Sequence, residues 1–328
     1  ACALLIESRA ASHSLLHEQL AYITAALQQY PLEQQVAFSE DPTVYNQLWA
    51  IRKGTFPAVG AVRETGTTVI IEDVTFPVEQ LAEGVSRLQQ LFDKYYYHEA
   101  IIFGHALEGN LHFVFTQGFD DATQVARYDA FMQEVAQLVA VEFAGSLKAE
   151  HGTGRNMAPF VELEWGTEAY NLMWRIKKLL DPQHILNPDV VLTYNNQLHL
   201  QNLKPLPATN PLVDKCIECG FCEPVCPSRK LTLTPRQRIV TQREISRLQR
   251  SGDKPERLAE LNKAYQYAGN DTCAACGMCS TACPVGINTG DLTRQLRAEH
   301  NRSWQGLAAF IARHFTAVSA MARAGLAM

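Results

Sequence analysis

The sequence lacks a long uninterrupted apolar run and an excess of basic residues, and each absence excludes a class of function. The most apolar stretch, Leu307–Met328, is interrupted by Arg313, His314 and Arg323. These charges argue against a membrane span, so the stretch predicts a core helix with a missing packing partner or, alternatively, a helix on a membrane surface. The net charge of -5 provides no basic stripe for phosphates, so we expect no nucleic-acid partner.

Several motifs of common enzymes are also missing. No Gly-x-Gly-x-x-Gly follows a predicted strand, which argues against a nucleotide-binding fingerprint. Neither a nucleophile-elbow serine nor a cysteine beside a histidine suggests a hydrolase. A charged leader with a cleavage site is absent, and residues 3–7 instead predict a strand at the very start. We therefore expect a fragment of a longer polypeptide.

Cysteine, in contrast, is abundant and strictly patterned. Eight of the nine cysteines form two frames of the spacing Cys-x2-Cys-x2-Cys-x3-Cys-Pro, namely Cys216, Cys219, Cys222 and Cys226, then Cys273, Cys276, Cys279 and Cys283. This spacing is that of bacterial two-cluster ferredoxins, in which the fourth cysteine of each run binds the other cluster. We therefore predict two [4Fe-4S] clusters, one held by Cys216, Cys219, Cys222 and Cys283, the other by Cys273, Cys276, Cys279 and Cys226.

Two other interpretations of the cysteines are weaker. Zinc sites usually take pairs of ligands, and disulfide frameworks belong to small secreted chains. Because thiolate ligands require a reducing compartment, we expect a cytoplasmic protein, with a peripheral position at the inner membrane face as an alternative. The remaining Cys2 is predicted to be a small buried apolar residue.

Periodicity predicts an α+β chain with a helical C-terminal part. The predicted strands are 3–7, 34–38, 67–72, 100–104 and 110–116, and the predicted helices are 11–29, 42–53, 78–95, 122–147 and 166–180. The last two strands predict a hairpin. A linker rich in Asn and Pro spans about 195–212, and beyond it strand signals vanish while residues 234–267 favour helix.

A second group of residues also suggests chemistry. His105 and His112 would lie at facing strand ends beside the hairpin turn, while Glu150, His151 and Arg155 follow a long helix in a glycine-rich loop. Nitrogen and oxygen ligands without thiolate suggest Zn, Mn, Fe or Co acting as a Lewis acid. Each histidine could equally be a hydrogen-bonded structural residue on spacing alone.

The ordered series of motifs resembles the C-terminal cap half of FAD-linked 2-hydroxy-acid dehydrogenases of the vanillyl-alcohol-oxidase superfamily. The matching segments are Trp49–Lys53, Glu72–Glu79, Gly104–His112, Glu150–Arg155, Leu180–Pro182 and Ile185–Pro188. The cysteine-rich part resembles the α-helical ferredoxin domain of the larger, respiratory D-lactate dehydrogenases. The resemblance implies a ferredoxin-like antiparallel-sheet cap domain over residues 1–200 and an all-α two-cluster ferredoxin domain over residues 201–328.

The resemblance also implies roles for individual residues. His105, His112 and Glu150 would bind the divalent metal, and His151 would be the base that takes the hydroxyl proton. Arg52 would contact the substrate carboxylate, while Arg155 and Asn187 would contact FAD. Arg155 could alternatively cap a loop, and Lys53 and Arg63 are rival carboxylate anchors.

The implied reaction is oxidation of a D-2-hydroxy acid, with D-lactate favoured. Some family members have Asn where this chain has Val114 and Lys where it has Ile71, and these departures favour a small substrate. The implied partners are an N-terminal FAD domain and a C-terminal cysteine-rich domain of the same polypeptide, with a quinone or cytochrome as acceptor. D-2-Hydroxyglutarate or glycolate oxidation and a non-catalytic electron-transfer subunit are the alternatives.

Overall fold

The computed structural model describes residues 2–326, with side chains at all of these except positions 56, 58 and 61. The chain forms two compact units, Ala1–Thr55 and Phe56–Met328. The first contains helices α1 (His13–Leu27) and α2 (Pro42–Lys53). Their N-termini are capped by the side chains of Ser12 and Asp41, which accept the backbone N–H groups of Leu15 and Thr43. Helix α3 (Thr55–Val62) follows directly.

The predicted strands at 3–7 and 34–38 are not strands in the structure. A strand is stable only when neighbouring strands bond its backbone groups. Within residues 2–326 the three sheet strands pair with one another and, at Thr75, with Ser146, but not with either of these segments. Leu4 and Leu5 are exposed, as is Cys2, so the expectation that Cys2 is buried was also wrong. Apolar alternation therefore identified extended segments without identifying a pairing partner.

Three antiparallel strands form the sheet, in the order β1-β3-β2. They are β1 (Thr68–Thr75), β2 (Ile101–His105) and β3 (Asn110–Gln117). The predicted hairpin is present, with His105 paired opposite Asn110. In the same register His112 stands between Phe103 of β2 and Asp73 of β1. One face of the sheet thus collects polar side chains from all three strands.

The opposite face of the sheet packs on helices. These helices are α4 (Leu81–Lys94) and α5 (Ala122–Ala136), and after a π-helical turn (Gln137–Glu142) the chain continues to α6 (Val161–Leu180), which is interrupted at Gly166. The core joins Phe113 and Phe115 of β3 to Phe92 of α4 and Phe131 of α5. Burying each such side chain contributes about 1.5–3 kcal/mol, so this core fixes the sheet that carries the site.

The cysteine-rich region is helical, as predicted. It contains α7 (Pro235–Ser251), α8 (Pro255–Tyr265), α9 (Met278–Ala282) and α10 (Thr289–His300), followed by α11 (Gln305–Arg313) and α12 (Phe315–Leu326). Apart from an isolated bridge between Leu206 and Gly66, the described residues from 201 onward form no β-structure. The α+β class with a helical ferredoxin-type region is thereby confirmed.

The C-terminal apolar stretch is two helices rather than one. Helices α11 and α12 are separated at His314, and neither contains a buried residue. Within residues 2–326, therefore, neither helix is buried against a packing partner as a core helix would be. None of the described helices combines the length and the apolar character needed to cross a bilayer.

We predict that Gly104→Ala disrupts the hairpin. A Cβ at this position would lie 2.0 Å from the carbonyl oxygen of Asn110, and backbone cannot move away as a side chain can. The free energy of unfolding should fall by about 3 kcal/mol. Urea unfolding followed by circular dichroism measures the loss. Gly118→Ala is the matched control, because a Cβ there meets nothing within 4 Å, and equal stability of the two variants would contradict the prediction.

Candidate functional site

The hairpin between β2 and β3 positions the two histidines. His105 ends β2, His112 lies in the middle of β3, and the turn between them returns through Gly109 at φ 68°. A Cβ on Gly109 would lie 2.0 Å from the carbonyl oxygen of Phe76, so both its conformation and its surroundings require glycine. This tight turn keeps both imidazoles on the polar face of the sheet.

Glu150 reaches the histidines because its loop is bonded to the end of β1. Ser146 and Thr75 exchange two backbone hydrogen bonds of 2.8 and 3.0 Å. Beyond them, the carboxylate of Asp73 accepts the backbone N–H groups of Glu150 at 2.7 Å and His151 at 3.1 Å. The sheet therefore dictates where both residues stand.

Lys148 completes a buried network below this loop. Its ammonium donates to the carboxylates of Glu72 and Asp73, the latter at 3.2 Å. Glu72 also accepts the side-chain amide of Asn156, whose oxygen accepts the hydroxyl of Tyr128 at 3.0 Å. Buried charges are tolerated when they are paired and hydrogen-bonded in this way. The network holds the loop to β1 from both of its sides.

Three imidazoles converge on a single carboxylate oxygen. The distances from Glu150 Oε1 are 3.9 Å to Nε2 of His105, 3.0 Å to Nε2 of His112 and 3.4 Å to Nε2 of His151. The rings of His112 and His151 stack, with centroids 4.8 Å apart. His112 is buried, whereas His105, Glu150 and His151 are exposed, so the site is open on one side.

Burial and neighbouring charges shift two pKa values at the site. Burial lowers the pKa of His112, although the carboxylate of Glu150 opposes that change, so the ring favours its neutral form. For Asp73, burial alone would raise the pKa, but the two backbone N–H groups and the Lys148 ammonium together lower it. A neutral imidazole is the form that binds metals.

These donors fit a divalent metal ion. Two overlapping groups have ligand atoms within 4.8 Å of one another, His105 with His112 and Glu150, and Asp73 with His112 and His151. Imidazole nitrogen and carboxylate oxygen suit Zn, Mn, Fe or Co. Since Asp73 already bonds Lys148 and two backbone N–H groups, the group of His105, His112 and Glu150 is the better ligand set, with His151 beside it.

The residues predicted to contact FAD and the substrate carboxylate belong to two other segments of the chain. Arg155 follows the Glu150 loop and donates to the carbonyl oxygen of Pro188 at 3.4 Å, so it lies beside Asn187, which adopts φ 42°. Arg52 lies in α2, in the first unit, where its carbonyl oxygen accepts the hydroxyl of Thr55. The flavin and substrate roles of these residues stay predictions.

Each set of four predicted cluster ligands lines one cavity. Cys216, Cys219, Cys222 and Cys283 line a cavity of about 370 Å³. Cys226, Cys273, Cys276 and Cys279 line a second one of about 320 Å³. In both, three cysteines come from one run and the fourth from the other. Burial raises the pKa of the Cys222 thiol to about 12, so iron binding must displace its proton. We name these the first and the second cluster site.

The two cluster sites form an internal repeat, in which the same contacts recur. Arg243 donates to the carbonyl oxygen of Cys216 at 2.8 Å, and Arg297 donates to that of Cys273 at 2.7 Å. The two arginines occupy the same offset from their helix N-caps, Thr234 and Asn288. Two residues after each first cysteine, the backbone N–H of Glu218 or Ala275 donates to the sulfur at 3.4 Å, with positive φ in both.

Sequence reasoning missed the residues that support the sites. Asp73 and Lys148 hold the metal loop, and Arg243 and Arg297 hold the cysteine loops. Two signals could have identified them. The acidic pair Glu72–Asp73 interrupts an apolar strand. An arginine also recurs nine residues after each of the helix-capping residues Thr234 and Asn288.

Comparison with known proteins gives two family matches. The C-terminal domain of FAD linked oxidases matches residues 1–191, and a 4Fe-4S dicluster domain matches residues 212–287. The first covers more than half of the chain.

Individual relatives agree with these matches. A glycolate oxidase subunit of Bacillus subtilis is 30% identical over 43% of the chain, and a mitochondrial D-lactate dehydrogenase (cytochrome) of Arabidopsis thaliana is 35% identical over 46%. A D-2-hydroxyglutarate dehydrogenase of Haemophilus influenzae is 26% identical over 76%. The alignments cover only 30%, 26% and 29% of these relatives' own lengths.

We predict that Asp73→Asn lowers the free energy of unfolding by about 2 kcal/mol at pH 7, because a carboxylate that accepts backbone N–H groups and a lysine is lost. The folded-state pKa of Asp73 is lowered, so its stabilisation is complete above its ordinary value of about 4 and fades as the pH falls below that value. The difference from wild type should therefore shrink at pH 3. Urea unfolding at both pH values tests this, with the exposed Asp120→Asn as control, and a difference that is unchanged at pH 3 would contradict it.

Proposed function

The chain belongs to the FAD linked oxidases through their C-terminal domain and has a 4Fe-4S dicluster domain, and from this we propose that it forms part of a D-2-hydroxy-acid dehydrogenase. D-Lactate, oxidised to pyruvate, is the substrate we favour. The observation that carries the proposal is the convergence of three imidazole nitrogens on Glu150 Oε1 at the open edge of the sheet.

The residues of the site suit removal of a proton from a substrate hydroxyl. His105, His112 and Glu150 would hold the metal, and His151, stacked on His112, would accept the hydroxyl proton. A bound metal would supply Lewis acidity to that hydroxyl, FAD would supply the acceptor for the C2 hydride, and the clusters would supply a path for single electrons. The substrate loses one proton and one hydride and becomes a 2-oxo acid.

Orientation of the substrate completes this proposal. Arg52 is our candidate for the carboxylate contact, because a guanidinium binds a carboxylate through two parallel hydrogen bonds. Arg155 and Asn187, which lie side by side on neighbouring loops, are the candidates for contacts to FAD. The flavin domain, a cysteine-rich C-terminal domain and a quinone or cytochrome acceptor would be the further partners. The thiolate ligands favour the cytoplasm.

Two apolar residues favour a small substrate. Ile71 and Val114, which replace a Lys and an Asn of some family members, are directly paired across β1 and β3. They lie on the same face of the sheet as Asp73 and His112, two residues away from them along each strand. A second substrate carboxylate would find no cation from this pair. D-Lactate therefore fits better than D-2-hydroxyglutarate, and glycolate is the alternative of similar size.

A function of another class is an electron-transfer subunit without catalysis. The two cluster sites alone would support it, since they need no substrate. An electron-transfer subunit would differ from the dehydrogenase in one observable property. No 2-hydroxy acid would reduce its clusters in a metal-dependent reaction.

We predict that His112→Ala in the full-length enzyme removes the divalent metal and lowers turnover of D-lactate with a dye acceptor at least 100-fold, because one of three ligands is lost. Cluster absorbance should remain, since the cysteines are untouched. Metal analysis and steady-state rates measure both effects. His98→Ala is the matched control, as His98 is exposed and its ring contacts Asp93 instead. Normal metal content and turnover in His112→Ala would refute the metal role, and no D-2-hydroxy-acid oxidation by the intact protein would favour the electron-transfer subunit.

We further predict that Ile71→Lys raises kcat/KM for D-2-hydroxyglutarate relative to D-lactate at least 10-fold. The side chain of Ile71 is 38% exposed, so a lysine can be accommodated there, and its ammonium would attract the second carboxylate. A panel of D-2-hydroxy acids measured at constant ionic strength gives the ratio. Ile71→Leu is the neutral control and should leave it unchanged. An unaltered ratio in Ile71→Lys would contradict our placement of the substrate along this pair.

A further inference from the structure

The two cluster sites differ at paired positions although their cysteine frames are identical. The internal repeat aligns the helix N-caps Thr234 and Asn288, and therefore Arg238 of α7 with Leu292 of α10. Arg238 is buried, lines the second cluster site and donates from Nη1 to the sulfur of Cys226 at 3.8 Å. Leu292 belongs to an apolar cluster against which Cys216 and Cys283 of the first site pack.

Two more pairs of aligned positions also differ between the sites, one in polarity and one in charge. Ile239, which lines the first site, aligns with the buried Thr293 of α10. Glu218, whose backbone N–H bonds the sulfur of Cys216, aligns with the neutral Ala275 beside Cys273. Relative to the second site, the first therefore has an additional carboxylate and an additional aliphatic side chain. Its lining also includes Arg236, which aligns with Gly290 of the second site, but the guanidinium of Arg236 pairs with Glu223 at 2.9 Å, whereas that of Arg238 donates to a cysteine sulfur.

Some charges act against this difference and must be weighed. Arg63 donates to the carbonyl oxygens of Asp214 and Cys216, which adds a cation near the first site, and Lys204 pairs with Glu218. Lys204 is 64% exposed at its side chain and so is screened by solvent. The guanidinium of Arg63 bonds carbonyl oxygens, whereas Arg238 donates directly to a cysteine sulfur. Arg243 and Arg297 occupy equivalent positions, but Arg243 also pairs with Glu218 at 2.7 Å and offsets the charge of that carboxylate, so the difference in charge between the sites rests on Arg238.

Reduction of an iron-sulfur cluster adds negative charge to it. Hydrogen bonds to the sulfurs and nearby positive charge stabilise the reduced form, while an apolar environment disfavours it. We therefore propose that Arg238 raises the reduction potential of the second cluster above that of the first, and so directs electrons from the first cluster to the second. This rests on the presence of the two clusters and not on the identity of the substrate.

The first cluster site contacts the part of the chain that matches the FAD linked oxidases, which supports it as the point of electron entry. Helix α3 packs on its cysteine loop, since a Cβ on Gly60 would lie 2.2 Å from the side chain of Ile217, and Arg63 at the end of α3 bonds the same loop. One electron from the reduced flavin would reach the first cluster, which is then oxidised by one electron as the second is reduced by it. No bond or proton changes in this step.

The test is electron paramagnetic resonance of the cluster-loaded protein, reduced by one electron equivalent with a chemical reductant, after iron analysis has established two clusters. The exposed cysteines Cys219 and Cys276, one in each run, allow assignment of the two signals through Cys219→Ser and Cys276→Ser. In wild type the electron should reside on the second cluster. Equal occupancy, or occupancy of the first cluster, would overturn the proposal.

The variant Arg238→Met should shift the ratio of electron occupancies toward the first cluster at least tenfold, which corresponds to about 59 mV in the potential of a one-electron couple. Arg238→Lys keeps the charge and should show less than half of that shift in potential. Arg247→Gln is the control on the same helix, because its guanidinium pairs with Glu244, and should leave the ratio unchanged. A ratio unaffected by Arg238→Met, or a Lys variant as impaired as the Met variant, would overturn the role of the guanidinium.

Discussion

The candidate metal site depends on one buried carboxylate. Asp73 lies on the edge strand β1, on the polar face of the sheet, fully buried, and its oxygens accept the backbone N–H groups of Glu150 and His151. Because Glu150 and His151 are themselves exposed, their own burial does not hold them beside the hairpin, and these two hydrogen bonds do. The strand thus transmits the rigidity of the core to a ligand and to the candidate base, neither of which belongs to an element of regular structure.

A second set of buried charges organises the cluster region by the same means. Arg63, Arg243 and Arg297 donate to backbone carbonyl oxygens of the cysteine loops and thereby fix irregular segments that no helix or strand could hold. Buried backbone polar groups must be bonded, and a guanidinium with its five donors can satisfy several of them at once. Both sites are therefore loops stabilised by charged side chains from regular elements.

The sequence predicted individual helices and strands better than it predicted which segments pair with each other. The hairpin of β2 and β3, the helix α2 at Pro42–Lys53 and the helical nature of the cysteine-rich part follow from local periodicity and were confirmed. Residues 3–7 and 34–38 share the periodicity of strands, but pairing depends on residues distant in the sequence. The division of the chain at about residue 200 stays a prediction, while the compact units separate at Thr55. The pairing of Lys148 with Glu72 and Asp73 was not predicted either, because Lys148 lies some 75 residues from them in the sequence.

The cysteine frames show where local reasoning reaches its limit. Because the two frames are identical in spacing, they predict two equivalent clusters and give no direction to electron transfer. Any direction of electron transfer must therefore come from residues outside the frames. Those residues can be compared in pairs only after the fold shows which positions of α7 and α10 correspond. Once Arg238 is aligned with Leu292, and Glu218 with Ala275, the two sites share equivalent backbone contacts but differ in the side chains around them. A duplication that retained its cysteine loops and diverged at the side chains around them would convert two equal electron carriers into an ordered pair.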